Sequence, residues 1–290
     1  MSTILITGGT GLIGAEVIRR IGAEHAIYAV SRRHNELLSK KTRVIPCDLS
    51  QPFDESLFPA EIDAVIHLAQ SEHFRDFPAR AADVFNVNTR ATFELLDYAR
   101  RAGARTFIYA SSGGVYGTGV NGFDENTPIV ARSGLGFYQS SKLCSEILAD
   151  NYTSFMNVIL LRFFFVYGPE QKPSMLIPRL VESVRNGTPI SLQGESGIRI
   201  NPTYVSDAAD AVIKSLALID SHKINIGGPD VLSLREIATE IGELVGREPV
   251  FSIDNQSQPG HLIGDIGKMR SLLFSPKVSF KKGLAYLIGS

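Results

Sequence analysis

The chain has 290 residues, 44% of them hydrophobic and 20% charged, a balance that fits a large buried core and excludes a disordered or fibrous chain. A net charge of −1 leaves no basic footprint for nucleic acid or an anionic membrane surface, and no apolar run is long enough to span a bilayer. Two cysteines, Cys47 and Cys144, offer neither a disulfide framework nor zinc spacing, so no metal is expected. The N-terminus enters a strand at once, without a signal-type stretch, which sets a cytoplasmic location as the expectation. In chain order, strands are predicted over Thr3–Thr7, Ala26–Ser31, Arg43–Cys47, Ala64–Ala69, Thr106–Ser111 and Val158–Phe165. Between them, helices are predicted over Leu12–Ala23, Ala79–Gly103 and Phe137–Phe155. Beyond Tyr167-Gly-Pro169 the pattern loosens into helices at Met175–Asn186, Ser206–Ile219 and Leu234–Gly246, short strands at Thr188–Gln193 and Pro249–Ile253, and two amphipathic segments between Gly260 and Ser290.

Alternating strands and helices imply an α/β fold, a doubly wound parallel sheet covered on both faces. The predicted domains are residues 1–169 and a smaller, partly interleaved substrate-binding lobe over 170–290. In such sheets ligands bind at the carboxyl ends of the strands. Gly8, Ser31, Asp48, Ala69, Ser112 and Phe165 all fall at or just past such ends.

The run Thr7-Gly-Gly-Thr-Gly-Leu-Ile-Gly14 follows a strand and opens a helix, the context a Rossmann-type dinucleotide fingerprint requires. Gly8 permits the tight turn, Gly11 lets the backbone approach a pyrophosphate, and Gly14 lets helix and strand pack closely. The first N–H groups of the helix, at Leu12, Ile13 and Gly14, then face the phosphates with the positive end of the helix dipole.

Tyr138-Gln-Ser-Ser-Lys142 places a phenol and an ammonium on one face of a predicted helix. A lysine there is expected to hold the phenol's pKa below its ordinary value, so that Tyr138 exchanges protons near neutral pH. Plainer readings stand beside these: Tyr138 as a half-buried helix tyrosine, Lys142 as a solvated lysine, His67 as a satisfied strand-end histidine, and Asp124 and Glu125 as a solvated loop.

Together these segments resemble the extended short-chain dehydrogenase/reductase superfamily, the NAD-dependent epimerase/dehydratase type that includes nucleotide-sugar enzymes. Asp48-Leu49 resembles its adenine-contacting acidic segment, and His67-Leu68-Ala69 its H-L-A segment along the cofactor. Asn88 matches an asparagine of the long helix, and Ala110-Ser-Ser-Gly-Gly-Val-Tyr-Gly117 its S-S-x-x-V-Y-G segment. The resemblance implies Ser112, Tyr138 and Lys142 as the catalytic set and a sugar or nucleotide sugar as substrate, with Phe165, Arg199 and Tyr204 beside it. It also implies a homodimer through the two long helices, with Phe93, Leu96 and Ile147 on the shared face. Phe165 stands where the family carries a phosphate-contacting asparagine, Ile200 and Gln258 where it carries arginines. Arg199, Arg179 or Arg185 would have to compensate, because bidentate arginine is the natural grip on a diphosphate.

The second strand ends Ser31-Arg32-Arg33, with no acidic residue to accept from the ribose hydroxyls of NAD. That favours NADP, with NAD possible. The competing functions are an NADP-dependent reductase of a non-nucleotide carbonyl compound and a cofactor-binding regulatory protein on the same fold.

Overall fold

The structure is a computed structural model that describes residues 1–32, 42–129, 134–257 and 259–289. Its first elements are β1 (Thr3–Thr7), α1 (Leu12–Ile21), β2 (Ala26–Ser31), β3 (Thr42–Pro46), β4 (Ala64–His67) and α2 (Ala81–Phe85). A π-helical turn over Asn86–Arg90 leads into α3 (Ala91–Arg101), β5 (Thr106–Ser112), α4 (Phe137–Asp150) and β6 (Asn157–Phe163). There follow β7 (Val166–Tyr167), α5 (Leu176–Asn186), β8 (Ile190–Gln193), β9 (Arg199–Ile200), β10 (Thr203–Tyr204) and α6 (Val205–Ser215). The chain continues with β11 (His222–Ile226), β12 (Leu232–Ser233), α7 (Leu234–Val245), β13 (Phe251–Asp254), α8 (Gly267–Leu272) and α9 (Phe280–Ile288).

A seven-stranded sheet runs in the order β11-β6-β5-β4-β1-β2-β3. The pairings of β1 with β2 and β4, of β2 with β3 and of β4 with β5 are parallel. Strand succession reverses between β1 and β4, so a crevice opens at their carboxyl ends, the switch point of a doubly wound sheet. Ile4, Leu5 and Ile6 of β1, Val65 and Ile66 of β4, and Phe107, Ile108 and Tyr109 of β5 are 0% exposed, as central parallel strands require. On one face Leu5, Val65, Phe107 and Tyr109 share a core with Leu95 and Leu96 of α3 and Ala149 of α4. α1 buries Val17, Ile18 and Ile21, and its Arg20 pairs with Asp210 of α6 at 2.6 Å.

The long helix expected over Ala79–Gly103 is broken into α2, the π turn and α3. The extra residue in the π turn places Asn88 where both ends of its carboxamide are used. Oδ1 accepts from the Ser71 N–H and Nδ2 donates to Ser141 Oγ, each at 2.9 Å. Such single-turn π segments mark local insertions in helices.

The chain divides into two units. One comprises Met1–Val115, Ile129–Arg162 and Ala209–Ile224; the other comprises Tyr116–Pro128, Phe163–Ala208 and Asn225–Ser290. The second lobe was expected over 170–290, partly interleaved with residues 1–169; here residues 209–224 belong to the first unit and residues 116–128 to the second. The physical reason is β11, which takes the sheet edge beside β6 and so brings the chain back to the first unit. Within the second unit, β8 and β13 pair in parallel and α7 starts with a capping box between Ser233 and Glu236. Asp207 accepts from the backbone N–H groups of Lys277 and Val278 at 3.0 Å and fixes the C-terminal segment.

Candidate active site

The glycine run builds a cradle. Gly8 has φ 71, and a Cβ on it would stand 2.6 Å from Ala69 N; a Cβ on Gly14 would stand 2.2 Å from Gly8 O. Only glycine lets β1, α1 and the end of β4 approach so closely. The Gly11 N–H closes the turn onto Gly8 O at 2.9 Å, and Gly11 caps α1 without a side chain. The N–H groups of Leu12 and Ile13 therefore face outward from an uncapped helix start with no acidic residue in its first turn. Leu68 and Ala69 border the cradle, and the Ala69 N–H is held by Thr7 Oγ1 at 3.2 Å. This cradle fits a dinucleotide pyrophosphate.

The rest of the expected cofactor set divides. Ser31 ends β2, and the exposed Arg32 pairs with Glu72 at 3.0 Å. Arg33 lies outside the described residues. Asp48 is exposed and accepts from the Ser50 N–H at 3.0 Å. The Leu49 side chain, 7% exposed, is part of the core, which leaves only its backbone for a ligand. Asn88 is 0% exposed and spends its carboxamide on Ser71 and Ser141, so a tie between the π turn and α4 stands where a cofactor contact was expected.

Ser112, Tyr138 and Lys142 all belong to the first unit. Ser112 sits at the end of β5, its Oγ accepting from the Gly114 N–H at 3.0 Å. A side chain at position 114 would press on Gln139, with a Cβ 3.0 Å from Gln139 Cγ. Tyr138 lies in the first turn of α4. Its hydroxyl donates to Gln70 Oε1 at 2.9 Å, and its ring packs 5.3 Å from that of Phe74. One turn on, Lys142 is 1% exposed. Its Nζ donates to the Ala110 carbonyl at 2.8 Å and lies 4.8 Å from the centre of the Tyr109 ring and 6.0 Å from that of Tyr138.

The electrostatics correct one expectation. Burial pushes the Tyr138 phenol up to about 12, against a hydrogen bond from Ser112 that works the other way. Burial likewise pulls Lys142 down to about 7, while Glu146 works to raise it. The phenol's shift therefore runs opposite to the expectation, because burial disfavours its charged form. His67 is a structural residue here. Fully buried between Thr7 Oγ1 at 2.6 Å and Thr92 Oγ1 at 2.9 Å, it is pushed down to about 3, first by burial and then by Lys142.

The expected substrate residues lie in the second unit. Phe165 is half-buried, with a left-handed φ of 44. Ile200 is 0% exposed, while its neighbour Arg199 is exposed and donates its backbone N–H to His261 Nδ1 at 3.2 Å. Tyr204 is 8% exposed, and its ring packs against Tyr167 and Tyr286 at 5.5 and 5.8 Å. Gln258 lies outside the described residues. Asp124 and Glu125 are held by their own surroundings. Asp124 Oδ1 accepts from the Asn126 N–H at 3.0 Å and from Thr127 Oγ1 at 2.9 Å, and Glu125 Oε1 accepts from the Asn225 N–H at 2.7 Å.

Three residues at the first unit's site escaped the sequence reading: Gln70, Glu146 and Arg162. Glu146 had a sequence signal, since it continues the four-residue spacing of Tyr138 and Lys142.

The comparisons with known proteins bear on the fold and the family. A curated relative in Bacillus subtilis (strain 168), named as an uncharacterized UDP-glucose epimerase, is 27% identical over 310 aligned positions that cover 97% of this chain and 95% of the relative. A dTDP-D-glucose 4,6-dehydratase of Mus musculus is 28% identical, with 97% and 86% covered. Among solved structures, MoeE5 in complex with UDP-glucuronic acid and NAD matches with a TM-score of 0.83 at 28% identity, covering 99% of this chain and 98% of its own. The UDP-glucuronic acid 4-epimerase of Bacillus cereus in complex with UDP-glucuronic acid and NAD matches with a TM-score of 0.86 at 26% identity, covering 98% and 97%. The model of the NAD dependent epimerase/dehydratase family matches residues 4–227, and the chain belongs to that family.

Proposed function

We propose that this protein is a nicotinamide-dinucleotide-dependent, epimerase-type oxidoreductase of a nucleotide-linked sugar. The observation that carries the reading is the convergence, within one unit, of Ser112, Tyr138 and Lys142 with the Gly8–Gly14 cradle at the carboxyl ends of β1, β4 and β5. The cradle at Gly8, Gly11 and Gly14 would hold a nicotinamide dinucleotide, which, when bound, would supply a reversible hydride acceptor. Tyr138 takes the alcohol proton as the carbinol carbon is oxidised to a ketone, and gives it back when the carbon is reduced. Ser112 fixes the reacting oxygen by a hydrogen bond, and Lys142, where it is protonated, offsets part of the burial that disfavours the phenolate.

Epimerisation is favoured over dehydration because water loss needs an acid beside the reacting centre. Ser112 is followed by Gly113 and Gly114, which carry no acid, and Asp124 and Glu125 are committed to backbone contacts. The nucleotide-linked substrate is supported by the relatives solved with UDP sugars. The test is calorimetric titration of UDP-, dTDP- and GDP-sugars into cofactor-loaded protein. Binding is expected for at least one nucleotide, weakened about tenfold or more in Arg199→Ala as a charged phosphate contact is lost. No binding by any of them favours the non-nucleotide carbonyl substrate instead.

The solved relatives hold NAD, yet β2 here ends in Ser31 rather than an acidic residue. We propose that Arg32 leaves its pairing with Glu72 to meet a 2′-phosphate, which favours NADP. Arg32→Ala should then weaken NADP(H) far more than NAD(H); equal losses, or a wild-type preference for NAD, refute it. The proposed setting is the cytoplasm, and the proposed assembly a homodimer through α3 and α4.

A further inference from the structure

Behind Lys142 lies a buried ion pair that the proposed mechanism does not use. Glu146, one turn beyond Lys142 on α4, is met by Arg162 of β6: Nη2 to Oε2 at 2.6 Å, Nε to Oε1 at 3.0 Å. The side chains are only 2% and 3% exposed. Ser111, the neighbour of Ser112 on β5, donates a short hydrogen bond to Glu146 Oε1. One carboxylate thus joins α4, β5 and β6 directly behind the lysine.

Burying such a pair gains little stability over apolar packing, because the desolvation of both ions offsets their attraction. A stability role alone is a weak reason for it. We propose that Glu146 is a positioning residue for Lys142: it supplies the buried negative charge beside which the lysine remains an ammonium in the site, and through Ser111 it holds α4 in register with the strand that ends in Ser112.

The titratable and charged groups around Lys142 support this division of labour. From β4, His67 is neutral and contributes no charge. From β5, Tyr109 offers only its ring, and burial holds its phenol well above the ordinary range. From α4, Tyr138 is a neutral phenol at ordinary pH. From β6, Arg162 is engaged by Glu146. Glu146 is the group that favours the charged lysine against its burial. Removing that charge lowers the lysine's pKa further, so the ammonium is lost at lower pH.

The inference rests on the reading above, so its test does not require turnover. NAD and NADP are titrated calorimetrically into the full-length protein between about pH 6 and about pH 9, for wild type and for Glu146→Gln. The near-isosteric amide keeps one oxygen for Ser111 and Arg162 Nε, sets an N–H opposite Arg162 Nη2, and carries no charge. Wild-type affinity should fall as pH rises through the Lys142 titration. In Glu146→Gln the fall should come about one pH unit lower, leaving affinity about tenfold weaker near pH 8 and little changed near pH 6. Because Arg162 then loses the Glu146 carboxylate, Glu146→Gln/Arg162→Gln is measured in parallel; with both charges of the pair removed, its profile should shift in the same direction but by less. A folded variant with the wild-type pH profile overturns the inference, as does failure of both variants to fold, which would make the network a requirement of folding itself. Wild type that binds neither dinucleotide overturns the proposed function and this inference with it.

Discussion

Phe165 shows what a single residue can reveal. Its φ of 44 places a bulky side chain in the left-handed region, where a non-glycine residue costs roughly 1–2 kcal/mol and asparagine is best tolerated. Half-burial of the ring returns a similar amount, on the order of 1 kcal/mol, so the two terms nearly cancel. Phe165→Asn should therefore unfold within about 1 kcal/mol of wild type and, by restoring a polar contact, bind nucleotide sugars more tightly. Thermal melting and calorimetry check both halves; looser binding would show that the ring itself is part of the pocket wall. At this scale the glycines were legible because their constraint is local: Gly8 and Gly14 meet backbone within a few residues or at the next strand. The sign of the Tyr138 shift was not legible. Spacing shows that a lysine is near, but the desolvation that decides the outcome depends on what the fold stacks over both groups. Gln70 was hidden for the same reason, since it meets Tyr138 across 68 positions of sequence.

Among the elements, the buried parallel strands were the most legible. The Thr3–Thr7 and Ala26–Ser31 strands match their predicted bounds, because continuous apolar runs between turn residues leave few alternatives. β11 was not predicted. His222–Ile226 carries no strong pattern of its own and becomes a strand by closing the sheet edge at β6. The break in the long helix was also invisible, because periodicity does not register one inserted residue. α3 and α4 nevertheless leave a pairing face. Phe93 is 47% and Ile147 57% exposed, whereas Leu96, expected beside them, is 0% exposed and belongs to the core, since it lies on the α3 face turned to the sheet. For the proposed homodimer, light scattering at micromolar concentration should give twice the chain mass, and Phe93→Glu/Ile147→Glu should halve it without lowering the thermal midpoint by more than a few degrees. A monomeric wild type removes the proposal.

For the whole molecule, the fold was readable as a doubly wound sheet with a partly interleaved second part, but which segments return to the first unit was not, because pairing at a sheet edge is a tertiary choice. The central claim is that Ser112, Tyr138 and Lys142 carry a reversible hydride transfer on a nucleotide-linked sugar. The most direct measurement is the interconversion of epimeric UDP- or dTDP-sugars, followed by NMR with saturating dinucleotide, for wild type and Tyr138→Phe. The account predicts interconversion by wild type and a loss of roughly a hundred- to ten-thousandfold in Tyr138→Phe, with dinucleotide affinity retained because the Gly8–Gly14 cradle is untouched. Tyr138→Phe turning over as fast as wild type, or a wild type that binds dinucleotide yet interconverts none of these sugars, would contradict it.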